Sequence, residues 1–186
     1  MRYSVYSVIV AGLCTLASAP LLGQTSAAPL CDQVSVGAFP RTAHARDFDG
    51  TFDIRSNGLV VTCGYVLPVS SSLTLVTGYS AMSFVNSFGV QSYSFGASVE
   101  AEYRPGFLDN VGGYAGIDGG FVYGYEGYFA KDRMIGPFTP AGNLKAGILY
   151  DIPDTRTTLY SGVQYVPPVF GHRGIISPVV GVTQRF

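Results

Sequence analysis

From Ser92 to Arg104 the chain alternates without a break: Tyr93, Phe95, Ala97, Val99, Ala101 and Tyr103 are apolar, while Ser92, Ser94, Gly96, Ser98, Glu100, Glu102 and Arg104 are polar or glycine. A period of two places these sets on opposite sides of an extended strand, one greasy and one wet. Tyrosines bracket the greasy side at Tyr93 and Tyr103. At about 3.3 Å per residue and a tilt near 40° they stand roughly 25 Å apart, the height of a bilayer's apolar band.

The alternation recurs near 58–68, 72–84, 111–125, 143–151, 157–169 and 178–186, and Gly, Pro, Ser or Asn bounds each stretch. In 111–125, Val111, Gly113, Ala115, Ile117, Phe121 and Tyr123 share a face opposite Gly112, Gly116, Asp118, Gly120 and Gly124; in 143–151, Leu144, Ala146, Ile148 and Tyr150 oppose Lys145, Gly147 and Asp151. Wet faces made of glycine and short polar groups suit the crowded interior of a narrow barrel. Connections alternate too: Val69 to Ser71, Arg104 to Asn110 and Ile152 to Arg156 are tight, whereas Val85 to Val90, Glu126 to Gly142 and Phe170 to Ser177 are longer or irregular. Short turns at one rim and long loops at the other are the habit of barrels that cross outer membranes.

If Phe186 ends a strand running toward the short-turn side, parity requires one more strand before residue 58. Residues 33–40 offer it, since Val34, Val36 and Ala38 alternate with Ser35 and Gly37; residues 49–55 are the rival. That strand would pair with the last and close the edge, which an open sheet in lipid cannot leave bare. The expected architecture is an all-β, eight-stranded antiparallel up-and-down transmembrane β-barrel.

Composition fits this picture. Charged residues are 12% of the 186, about half the share usual in soluble domains, and tyrosine and phenylalanine number 13 and 12. With Tyr79, Tyr93, Tyr103, Phe121, Tyr123, Tyr150, Tyr165 and Phe186 all directed outward, a soluble protein would carry far too large an apolar patch; in lipid these rings are anchors at the interface. A soluble lipocalin-like barrel would need many more outward charges. The net charge of −1, with no clustered lysine or arginine, argues against a nucleic-acid partner.

Residues 1–27 read as a signal peptide: Arg2 supplies the positive start, Val5 to Leu16 the apolar stretch, and Thr25-Ser26-Ala27 a small-residue cleavage site. That leaves 28–186 as the barrel and directs it across the inner membrane. Cys14 leaves with the leader. Cys31 and Cys63 remain, and an oxidising periplasm would let them pair. Cys63, however, shares the outward register of Leu59, Val61, Tyr65 and Leu67, while Cys31 lies near the mature N-terminus, so spacing argues against a bridge without deciding it. Neither Cys14 nor Cys31 follows a lipoprotein box, since Leu13 and Leu30 stand where a small residue is expected.

The chain resembles the small outer-membrane barrels, the class that includes the transmembrane domain of outer-membrane protein A and the opacity-type surface proteins. The final octet, Val179 to Phe186, matches that class's insertion signal at Gly181 and at the closing aromatic Phe186, and departs from it at Gln184, where an aromatic is usual. The resemblance implies recognition by the barrel-assembly machinery, with membrane lipid as the surrounding partner.

Residues for chemistry are sparse. Related barrels that modify lipid A use a histidine and serine with an orienting carboxylate, and this chain has two histidines, His44 and His172, neither with a serine at the matching spacing. No catalytic, cofactor or metal site is assigned. Asp47, Asp49 and Asp53 around Gly50 lack the closing glutamate of a calcium loop. The inward charges say more: Glu100, Glu102, Arg104, Asp118, Lys145 and Arg185 all fall on wet faces. Enclosed charges must pair, so they are expected to meet across the lumen and plug it. The expected function is a structural or surface-interaction barrel, with Tyr128, Phe129, Lys131, Asp132, Arg133 and Phe138 of the longest loop as contact residues for a ligand the sequence does not identify. A narrow ion or small-solute pore is the alternative, and a lipid A acyl-modifying enzyme a second one.

Overall fold

The computed structural model describes residues 30–44, 57–86, 88–126, 134–168 and 174–186. The leader, the rival strand at 49–55, the aspartates 47, 49 and 53, His172, and loop residues Tyr128, Phe129, Lys131, Asp132 and Arg133 lie outside them. Strands run β1 (Gln33–Phe39), β2 (Ala43–His44), β3 (Gly58–Pro68), β4 (Leu73–Val85), β5 (Gln91–Tyr103), β6 (Val111–Tyr123), β7 (Phe138–Asp151), β8 (Thr157–Val166) and β9 (Ile175–Arg185). Neighbours pair antiparallel in the order β1, β3, β4, β5, β6, β7, β8, β9, and β1 returns to β9 to close the sheet.

Nine strands make eight wall positions. β1 pairs with β9 as far as Ala38 opposite Val180, and β2 resumes beside the same strand with Ala43 opposite Ile176. One extra residue on the first side is a bulge, so β1 and β2 form a single bent stave. The first strand therefore lies where 33–40 was expected, and closure follows from its two ladders, to Gly58–Gly64 of β3 and to Val180–Arg185 of β9.

The fifth long strand begins at Phe138, five residues before the alternation from Asn143 suggests. Pro140 and Gly142 look like loop residues in sequence. Here β7 has β6 on one side, whereas its ladder to β8 starts only at Leu144, so the missing N–H of Pro140 breaks no bond. Phe138 is consequently a wall residue rather than part of the contact loop. Its ring lies 5.8 Å from Phe95 and 6.1 Å from Tyr123, centroid to centroid. Pro178 sits in a similar gap: it opposes Val163 of β8 below the point where β1 leaves off at Val180, and β9 begins at Ile175 rather than at 178.

The walls are inverted relative to a soluble protein. Phe95, Val99, Ile117, Leu144, Ile148 and Val180 are exposed on the outside, while Gln33, Ser98, Glu102, Asp118, Thr158, Gln164 and Thr183 are buried within. Tyr93 and Tyr123 rim the loop end, and Tyr103, Tyr150 and Phe186 the turn end. Tyr79 points outward too, but midway along β4.

Cys31 and Cys63 are joined by a disulfide, against the argument from spacing. The outward register of Cys63 holds; Cys31 reaches it because the chain leaves the wall just before β1. Asp32 ends the ladder, its carboxylate accepting the Val66 N–H at 2.8 Å, and the Leu30 carbonyl accepts the Tyr65 hydroxyl at 2.8 Å on the outer face.

Candidate functional site: a closed polar lumen

Register decides which inward side chains can meet. Glu100, Gly116 and Lys145 stand in one row across β5, β6 and β7, and Ser98, Asp118 and Asn143 in the next. Gly116 is the window in the first row: a Cβ there would lie 2.9 Å from Lys145 Cε. The lysine crosses it, its ammonium 3.0 Å from Glu100, 3.2 Å from Asp118 and donating to Ser98 at 3.0 Å.

A second layer closes the turn end. Glu102, 3% exposed, pairs through one oxygen with Arg104 and with Arg185 at 2.8 Å, while Gln33 donates to the other at 3.5 Å. Arg104 forks onto Asp151 at 2.7 and 3.2 Å, and the Thr158 hydroxyl donates to the same carboxylate. β5 and β9 are four places apart in the ring of eight, so the bridge from Glu102 to Arg185 spans the bore. An eight-stranded barrel is just narrow enough for opposite side chains to touch.

Two inward tyrosines line the wall beside these layers. Tyr114 lies over Gly147 and Gly162, and Tyr160 over Gly181 and Gly37, where a Cβ at any of the four would collide with a tyrosine ring. Each pair of glycines is in register with its tyrosine along the hydrogen-bonding direction, so the ring covers backbone that has no side chain of its own. The rings meet edge to face, centroids 6.0 Å apart. The cavity lined by Glu100, Asp118, Lys145 and the two tyrosines holds about 40 Å³, room for a few waters.

All six inward charges read from the sequence are thus near one another, in two groups: Glu100, Asp118 and Lys145 mid-lumen, and Glu102, Arg104 and Arg185 at the mouth. Asp151, which the alternation in 143–151 places on the wet face, joins the second group. Gln33, Tyr114 and Tyr160 are lumen residues that the alternation alone does not single out, although each shares the parity of the inward charges, and Ser98, on the wet face of its strand, gains its role as the acceptor for Lys145. Gly181 faces the lumen beneath Tyr160, and Phe186 is outward, its N–H donating to the Asp32 carbonyl at 2.9 Å. Of His44 the structure places the backbone, at the end of β2.

A closed antiparallel barrel with an ionised interior and an apolar exterior is a barrel of the transmembrane type. No protein-family model matches the chain, and no curated protein matches it. Among solved structures it is similar to the outer-membrane enzyme PagL (13% identity, TM-score 0.49, covering 83% of this chain and 99% of that one). It is similar also to Ail, the attachment invasion locus protein of Yersinia pestis (13%, 0.49, 84% and 100%), and to Neisserial surface protein A (16%, 0.49, 83% and 96%). An enzyme, an attachment protein and a surface protein stand side by side here, so the likeness selects no function.

Proposed function

We propose that this protein is an outer-membrane barrel with a blocked lumen, whose function is structural or is exercised by its loops outside the cell. The observation that carries the reading is the Glu102–Arg185 bridge across the bore. Inside a narrow barrel, with Glu102 buried and hydrogen-bonded through both oxygens, such a bridge obstructs the path an ion would need. The outward aromatic rims and apolar staves support residence in lipid, and the strand ends that the long connections join lie opposite both the short turns and the start of β1. On such a rigid scaffold, recognition belongs to the loops.

The test is conductance of the refolded protein in planar bilayers. A silent protein is expected. Sustained openings that disappear when Glu100 or Arg185 is neutralised would replace this reading with that of a narrow pore. Mass spectrometry of lipid A from cells with and without the protein is expected to give identical spectra, and a lost or added acyl chain would instead mark an enzyme.

A further inference from the structure

Counted by layer, the lumen's charges do not balance. At the mouth two carboxylates, Glu102 and Asp151, face two guanidiniums, Arg104 and Arg185. Mid-lumen, Glu100 and Asp118 share the single ammonium of Lys145, which leaves this layer at −1. Asp118 is 8% exposed. A buried carboxylate without a full counter-charge is costly, and something must neutralise it.

A second observation says what. Tyr114 is 7% exposed, and its hydroxyl, in the cavity shared with Glu100 and Asp118, has no hydrogen-bond partner. The Asn143 side-chain oxygen, directly across the ladder from Asp118, is likewise buried and unpartnered. It borders a further space of about 90 Å³ that meets the first at Asp118 and runs toward the loop end past Met82 and Phe84. Unpaired buried oxygens around an excess negative charge call for a positive centre that several oxygens can face at once.

We propose that the mid-lumen layer binds one small monovalent cation of sodium size, held by Asp118 and Glu100 with Tyr114 supplying a neutral oxygen. All these donors are hard oxygens, which suits an alkali cation rather than a soft metal. A layer charge of −1 matches a single positive charge better than two. The space admits an ion with a water or two and excludes a larger organic cation. Nothing here depends on what the loops bind or on whether the lumen conducts.

The experiment measures urea unfolding of the refolded protein in zwitterionic phospholipid vesicles, with sodium chloride exchanged for choline chloride at constant total salt. Between 10 and 100 mM sodium the folding equilibrium constant is expected to rise about three- to tenfold, following the linkage of binding to folding. The rise is expected to vanish in Asp118→Asn and in Glu100→Gln, which neutralise the layer, and to shrink in Tyr114→Phe. If one carboxylate variant fails to fold, the other and Tyr114→Phe still decide. Equal stability of the wild type in the two salts overturns the proposal, as does a sodium effect that survives both carboxylate substitutions. Stability in choline that rises with acidification, with no response to sodium, would assign the neutralising charge to a proton and overturn it as well.

Discussion

Glu102→Gln removes the one carboxylate that both mouth arginines share. The substitution keeps the side chain's shape and leaves Arg104, Arg185 and Asp151 with a net charge of +1 where the sum had been zero. Breaking a fully buried ion pair costs about 3–5 kcal/mol. Arg104 and Arg185 retain 23% and 33% of their side-chain exposure, and Arg104 keeps Asp151, so water and the remaining partner recover part of the loss. The expected destabilisation is about 2–3 kcal/mol, or roughly thirty- to 140-fold in the folding equilibrium. With no tryptophan in the chain, urea unfolding in vesicles is followed by tyrosine fluorescence and by the mobility difference of folded and unfolded barrels on cold SDS gels. Glu102→Gln combined with Arg185→Gln removes one charge of each sign and is expected to fall short of the summed single effects by at least about 1 kcal/mol. Additive losses within about 0.5 kcal/mol would refute a strap across the bore, because residues that do not interact lose their energies independently.

Reducing the Cys31–Cys63 bridge, or replacing both residues with serine, frees a loop of sequence separation 32. Loop entropy puts the loss at about 3–4 kcal/mol, and an unchanged urea midpoint would show that the unfolded chain gains nothing from the release. Gly116→Val places a branched side chain in the window that Lys145 crosses, close also to the Val99 carbonyl. Overpacking together with a displaced lysine is expected to cost about 2–4 kcal/mol. The same substitution at Gly113, which faces outward and has only the Gly147 carbonyl near it, serves as the control and should be nearly silent by the same urea assay.

Strand periodicity carried most of the architecture in the sequence itself. A β-strand exposes alternate residues to opposite faces, so the choice between lipid and lumen was written locally at Tyr93, Phe95 and Glu100 and needed no partner to be read. Parity of the connections then demanded a strand before residue 58, and residues 33–40 supplied it. Strand ends were less legible, since Pro140 looks like a loop residue until the ladder shows that β8 is absent beside it. Pairing lay further out of reach. That Glu102 meets Arg185 rather than Lys145 depends on the ring order and stagger of the strands, and that Cys31 swings out to Cys63 depends on Asp32 ending the ladder. Which face a residue takes is set by its own backbone and its immediate neighbours, whereas which partner it finds is set by sheet closure, a property of all eight staves together.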